Sequence, residues 1–509
     1  MANASIVLTG LSASDPRPGS YLEILFAQGE SAGAGVSYPA LLLGNRTSAG
    51  SATADTVVYG PDTAIPCQTE ADVITLFGTG SELHRMWLQF TSVNKSTACY
   101  LLAVTASGGT AASATIVVSG VASGNGVARV YVGNDFVDTA ITSGDAVDTI
   151  GAAITASINT KTRWPVTAAY TGGSDTITLT ARHGGPRGNQ IKIQSQITAG
   201  ITTALTSSSL TSLSSGATAD SNTNALATIL ARRFYWIVSA AEDATQVGAL
   251  LTQVNAQAQP TSGIRQRVIF GSTHTISTPV TIATGLNGAR AECIWQPVSE
   301  YTPAELAAHN AGVYALRVTE SLPKPKHNFS NYPSRDEDQS SWLIKAPRSG
   351  TGPTNADILT ALNNGITPVK VLASGRTALV KRVTTKSLNG ATADYRIRDA
   401  HKVDICDVFG EELLSKINLQ FGGNDIANDP AEGQRVPGPN VTTPRVFKAA
   451  IEGLLDVFDA NDQLQDLAII KRDLIVQRET SPSTRMAAQI PLRPIDIHDQ
   501  SAVKVLQVA

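Results

Sequence analysis

Histidine, cysteine and clustered carboxylates do most of the metal binding and nucleophilic chemistry in proteins, and in this chain they fall into no working pattern. His84, His183, His274, His309, His327, His401 and His498 are scattered, with no H-x-x-x-H or HExxH spacing to place two imidazoles on one helix face. Cys67, Cys99, Cys293 and Cys406 form no CxxC pair, so no soft-ligand cluster for zinc is present. They read as buried thiols acting as small apolar side chains. Disulfides within or between subunits become available only if the protein ends outside a reducing cytosol. No GxSxG elbow or triad context is found. The expected chemistry is therefore none: no catalytic residue, no cofactor and no metal.

Four other stretches carry the residue types of binding sites. "FGTGSEL" (Phe77–Leu83) is a Gly-rich turn before a helix, but it lacks the Lys-Ser/Thr of a P-loop and the third glycine of a dinucleotide fingerprint. "ARHGGPRGNQIKI" (Ala181–Ile193) is basic and glycine-rich without interleaved aromatics, and reads as a hairpin turn. "SRDEDQSS" (Ser334–Ser341) lacks the ligand order of a calcium loop and reads as a solvated turn. His84, near Glu82 and Arg85, reads as a surface or core-edge histidine. The basic pairs Lys381-Arg382 and Lys471-Arg472 suit ionic contacts between protein surfaces.

Composition points the same way. At 509 residues the chain is too long for one hydrophobic core, so two to four domains are expected. The hydrophobic share of 42% is that of a folded protein, while charged residues make up only 16%. A net charge of −3 offers no bulk attraction to nucleic acid or an anionic membrane. No run of about 18 apolar residues is present to span a bilayer. "MANASIVLTGLSASD" has no basic, then apolar, leader pattern, so a soluble protein made in a cytosol is expected.

The elements that would position any site divide the chain by texture. Residues 1–35 are a Gly- and Pro-punctuated arm with one strand pattern at Ser20–Ala27. Over 36–105 a buried strand ("YPALLLGN"), two helices capped by Thr69 and Ser81, and a second buried strand ("ACYLLAV") predict α/β organisation with a partly parallel sheet. Residues 106–220 are Thr/Ser/Gly/Val-rich and alternate with period two, an inserted β-rich domain with one helix. The α/β texture resumes over 221–375, so the insertion splits one domain into two segments. A C-terminal α+β unit over 376–485 includes a helix at Thr443–Asp459, and 486–509 alternates like strand again. The fold class expected is a split α/β core with an inserted β-rich domain, a C-terminal α+β domain and strand-like terminal arms.

Taken in order, several segments resemble the tail sheath proteins of contractile-tailed bacteriophages, closest to the Mu-like group. "RPGSYLEI" resembles the family's "R-x-PG-x-Y-x-E" entry, one residue shorter between Arg17 and Pro18. "ALLLGNRTSAG" and "FGTGSELHRMWLQFTSVN" resemble its first core strand and "FG-x-GS-x-L-x-x-M" helix. "TLTARHGGPRGNQIKIQ" resembles the inserted domain's "T-A-x-H-x-G-x-x-GN-x-I" segment, and "NNGITPVKV…ALVKRVTT" the approach to the terminal domain.

The resemblance implies a subtilisin-like sheath domain in fold only, with no enzyme activity. It implies hexameric rings of the chain itself, stacked around a tail tube protein, with baseplate and tail terminator proteins as further partners and no direct nucleic-acid or membrane contact. Such a subunit is made in the host cytoplasm and resides in the virion, where it contracts during genome delivery. On this resemblance Ser20, Tyr21, Leu22, Glu23, Ile24 and Leu25, with Met486, Ile490, Val503, Val505 and Leu506, are the inter-subunit strand arms. Lys448, Lys471 and Arg472 are the tube-facing or ionic contacts, the insert faces outward, and the four cysteines are candidates for inter-subunit disulfides. The alternative from composition is an extracellular β-rich adhesin, favoured by the Thr/Ser/Gly-rich middle; a subtilisin-class hydrolase ranks third for want of a nucleophile.

Overall fold

The computed structural model describes residues 38–198, 203–230, 232–320, 344–372, 375, 377–431, 434, 438, 440–481 and 483–496. Its centre is a seven-stranded sheet in the order Thr377–Leu379, Ile366–Val371, Ala291–Trp295, Arg267–Ser272, Trp236–Ser239, Ala40–Gly44 and Cys99–Ala103. All neighbours run parallel except the first pair. The parallel strands are short, unbroken apolar runs because both of their faces are covered. Leu42, Leu101, Val238, Ile269 and Ile294 point to one face, under the helices Glu70–Phe77, Glu82–Val93 and Pro303–Glu320. Leu41, Leu43, Ile237, Val268, Phe270 and Trp295 point to the other, under Ala244–Gln257 and Ser277–Leu286.

Local chemistry sets the helix starts. Thr69 and Asp72 form a reciprocal capping box, and the Ser81 hydroxyl accepts the His84 N–H. Close packing leaves little room elsewhere. A Cβ on Gly271 would stand 2.1 Å from the Pro303 carbonyl oxygen. Gly271→Ala should therefore push the Pro303–Glu320 helix off the sheet and lower stability by about 1–3 kcal/mol in denaturant unfolding. An unchanged midpoint would refute that packing.

The chain leaves this sheet after Ala103 and returns before the short helix Thr223–Thr228. Between them lie two four-stranded sheets. One has the order Thr211–Ser212, Lys192–Ile197, Gly126–Val132, Asp135–Ile141; the other Val166–Thr171, Thr176–Gly184, Ala111–Ser119, Ala204–Leu205. Period-two burial along Thr176–Gly184 turns Ile177, Leu179 and Ala181 inward. They join Ile150, Ile154 and Ile158 of the helix Val147–Thr160 in a core built from insert residues alone.

The segment expected to be a hairpin at Ala181–Ile193 is not one. Thr176–Gly184 and Lys192–Ile197 belong to different sheets, and a 3-10 turn, Pro186–Gln190, carries the chain between them. Gly185 opens that turn at φ 95°, a conformation that favours glycine.

After Thr377–Leu379 the chain builds the helices Ala400–Phe421, Pro444–Ala460 and Leu467–Asp473, then an antiparallel hairpin of Ile475–Arg478 with Met486–Gln489. Phe409 and Phe458 meet edge-on at 5.1 Å, within a core that includes Phe447, Ile451, Leu455 and Leu474. Among the described residues no helix is long and apolar enough to cross a membrane.

Candidate functional site

Counted along the parallel strands, the sheet order reverses between Ala40–Gly44 and Trp236–Ser239. In open α/β sheets ligands bind beyond the carboxyl ends of the strands at such a reversal. Here that crevice is occupied by the protein itself. Arg187, on the insert's 3-10 turn, enters it and donates from Nε to Glu82 Oε1 at 3.0 Å and from Nη2 to Asp220 Oδ2 at 2.8 Å. Glu82 also accepts the Asn45 N–H at 2.9 Å, and Asp220 the Asn45 side-chain amide at 2.6 Å. Both carboxylate side chains are 3% exposed. The paired arginine and the backbone donor lower the Glu82 pKa despite its burial.

What remains is a void of about 10 Å³ lined by Glu82, Arg85, His183, Arg187, Glu242 and Thr302. That is room for about one water, not for a substrate. Among the described residues no group of three His, Cys, Asp or Glu could hold a metal ion. Chemically the arrangement can clamp one domain to another.

A second ionic junction lies at the opposite, amino ends of the strands. Arg267 is fully buried and pairs with Glu292 at 2.7 Å and with Asp404 at 2.5 Å. Arg382 grips Glu292 through two nitrogens, at 2.7 and 2.6 Å, and also reaches Asp404. Tyr235 donates to Asp404 at 2.8 Å. Arg290 binds both oxygens of Asp407, at 2.7 and 2.6 Å. Asp404 and Asp407 lie in the first half of the Ala400–Phe421 helix, so these pairs fasten the C-terminal unit to the sheet. Lys381 pairs with Asp399 at 2.9 Å, so the basic pair Lys381-Arg382 serves an internal junction rather than a surface.

Other residues singled out in the sequence are placed as follows. Ser20, Tyr21, Leu22, Glu23, Ile24, Leu25, Val503, Val505 and Leu506 lie outside the described residues, as do His327, Ser334–Ser341 and His498. Met486 pairs with Arg478 of its own chain, and Met486 and Ile490 lean on the C-terminal core. The segment starting at Met486 is therefore not a free strand: its apolar side is taken up at home. Lys448 donates to the Leu474 carbonyl at 3.1 Å, Lys471 reaches Asp456 at 2.5 Å, and Arg472 binds the neighbouring Asp473. Of these, Arg472 is the most open, its side chain 70% exposed.

All four cysteines are buried. Burial pushes the Cys67 thiol up to about 12 and those of Cys99 and Cys293 higher, so none of these three is poised as a thiolate. A disulfide to another subunit would require opening the core around them. His84 is fully buried, not at the surface, because the insert covers its helix.

Arg187, Asp220, Glu82, Arg267, Glu292 and Asp404 carry no site signal of their own in the sequence, and Arg382 shows only as half of a basic pair suited to surface contacts. The glycines flanking Arg187 were the one visible signal.

No family model matches the chain. A curated protein, the Mu-like prophage FluMu tail sheath protein of Haemophilus influenzae, is 22% identical over 451 residues, 88% of each chain. The chain is similar to this Mu-like tail sheath protein along most of both lengths. The likeness runs through both sheet segments and the insert between them. Among solved structures, the sheath tail protein of Desulfitobacterium hafniense gives a TM-score of 0.45 at 14% identity, covering 94% of this chain and all of the other. The sheath tail protein of Listeria innocua gives 0.46 at 14% identity, covering 92% and 94%.

Proposed function

We propose that this sheath relative is a structural subunit of a contractile tail, polymerising as stacked hexameric rings around an inner tail tube and shortening to drive that tube through a host envelope. The observation that carries the reading is the match to a tail sheath protein along 88% of both chains. The filled crevice at the strand reversal agrees with a role that needs no substrate.

In this reading the chain divides into a linking arm (1–35), a split α/β core (36–105 and 221–375), an outward insert (106–220), an inner C-terminal domain (376–485) and a second arm (486–509). The arms would join neighbours by strand addition, which makes main-chain hydrogen bonds without a large rigid interface. Because Met486–Gln489 already pairs within the chain, the outer edges of that hairpin become the acceptors and the residues beyond Asp496 the donor. The Pro444–Ala460 helix would face the tube, with Lys448, Lys471 and Arg472 nearby. The tail tube, baseplate and tail terminator proteins are the partners, and the host cytoplasm the place of assembly. A heterologous contact that does not close gives the open helical filament this requires.

Negative-stain microscopy of the purified protein tests the proposal: hollow tubes are expected, and monomers at every concentration would refute it. Deleting 1–30 or 497–509 should abolish tubes while leaving the folded core intact by circular dichroism. Normal polymerisation of both truncations would remove the arms from the mechanism.

A further inference from the structure

Three of the chain's seven histidines, His84, His183 and His274, lie along the seam between insert and sheet domain. His84 Nδ1 accepts the Gly80 N–H at 3.0 Å, which leaves Nε2–H to donate to Glu70 at 3.1 Å. Glu70 also receives Arg163 of the insert, at 2.7 Å. The Gly80 turn is pressed against the insert: a Cβ there would stand 2.5 Å from the Trp164 carbonyl oxygen. His274 Nε2 lies 2.9 Å from the Gln190 amide of the insert and 3.1 Å from Glu242 Oε1. It can accept from Gln190 only without a proton, and donate to Glu242 only with one. His183, on the insert, is buried with both ring nitrogens unpartnered beside the small void, its Nε2 4.0 Å from Glu82.

We infer that this seam is a proton-operated latch: uptake of protons at His84, His183 and His274 loosens the insert from the sheet domain while each keeps its own core. A proton on His84 Nδ1 costs the Gly80 hydrogen bond. A proton on His274 Nε2 transfers that atom from Gln190 to Glu242. A proton on His183 adds a cation where Arg85 and Arg187 already stand.

The groups facing each imidazole set the order of events. Around His183 are Glu82, Arg85, Arg187 and Asp220, with Glu242 across the void; burial outweighs Glu82 and holds its pKa at about 4. Around His84 are Glu70, Arg85 and Arg163, and burial again lowers the pKa. Around His274 are Glu242 and Lys192, and the hydrogen bond to Glu242 raises it, so His274 protonates first.

For His183 the docked pKa lies below the undocked value of about 6.5, so its contribution to docking is complete above that value. It is lost as pH falls toward 4, by up to about tenfold in the open population per pH unit. The His274–Glu242 pair strengthens on acidification, but both residues belong to the sheet domain, so that gain does not hold the insert. In the opposite junction Asp404 keeps its charge through this range, because Arg267 and Arg382 hold its carboxyl well below the usual carboxylate range.

Hydrogen–deuterium exchange on the full chain tests the latch. From pH 7.5 to 4.8, corrected for intrinsic rates, amides at 107–112 and 216–222 should open at least tenfold more often, with the strand Trp236–Ser239 unchanged. Constant junction protection, or loss only together with that strand, would overturn the inference. His183→Leu, uncharged at every pH, should flatten the profile; an unaltered profile would count against His183. Should that variant not fold, histidine C2–H exchange on the wild-type chain decides: a His183 midpoint near 4 supports the latch and one near 6.5 overturns it.

Discussion

Asp404→Ala is expected to cost about 3–5 kcal/mol, the largest loss from any single side chain of the junction beneath the sheet. The carboxylate accepts from Arg267, Arg382 and Tyr235 at once. Removing it leaves the buried guanidinium groups of Arg267 and Arg382 sharing Glu292, and Arg267 is too deeply buried for bulk water to compensate. A control separates this from a lost neutral hydrogen bond. Tyr235→Phe removes one donor and leaves the charges paired, so about 1 kcal/mol is expected. Equilibrium urea unfolding of the two variants measures both, and near-equal losses would show that the charges are not the source. Asp404→Asn keeps the shape if the alanine variant does not fold, and should fall between. The pH dependence has a definite sign. The arginines hold Asp404 far below the usual carboxylate range, so its stabilisation is complete above about pH 4 and disappears only as pH falls further.

How much of this could be read from the sequence depended on whether the deciding contact was local. Ala40–Gly44 and Cys99–Ala103 are visible as buried strands because parallel strands covered on both faces leave no polar alternation. Thr69 and Ser81 are visible as caps because a cap reaches only two or three residues ahead. The insert shows because its strands keep period two. Partners were not legible. Thr176–Gly184 and Lys192–Ile197 look like a hairpin since only their separation is written locally, and the sheets they join are fixed by strands elsewhere. Arg267, Arg290 and Arg382 look like ordinary surface charges. Arg267 meets Asp404, 137 residues away, and Arg290 meets Asp407, 117 residues away, so nothing near them announces burial. His84 reads as a surface or core-edge histidine for the same reason, although its side chain is fully buried in the structure. Met486 to Ile490 has the alternation of a linking strand, and alternation alone cannot tell a strand paired at home from one paired abroad.

At the other end of the sheet, Asp220→Ala should undock the insert. One oxygen of Asp220 accepts the Ser107 N–H at 2.6 Å; the other accepts Asn45 and Arg187. Ser107 is where the chain enters the insert and Asp220 where it leaves, so this carboxylate ties both crossings to the first core strand and to the insert's own body. Without it Arg187 keeps only Glu82, and the buried Asn45 amide loses its acceptor. A loss of about 3 kcal/mol of docking free energy follows. The insert should stay folded, because Ile116, Ile154, Leu179 and their neighbours form a core with no contribution from the sheet domain. The calorimetric signature is therefore a split: one cooperative transition in the wild-type chain becomes two in the variant. Arg187→Ala removes the same contact from the other side, so the double variant should lose clearly less than the sum of the single losses. Additive losses, or a single unshifted transition in Asp220→Ala, would mean that the insert is held by its apolar contacts and not by the ions in the crevice.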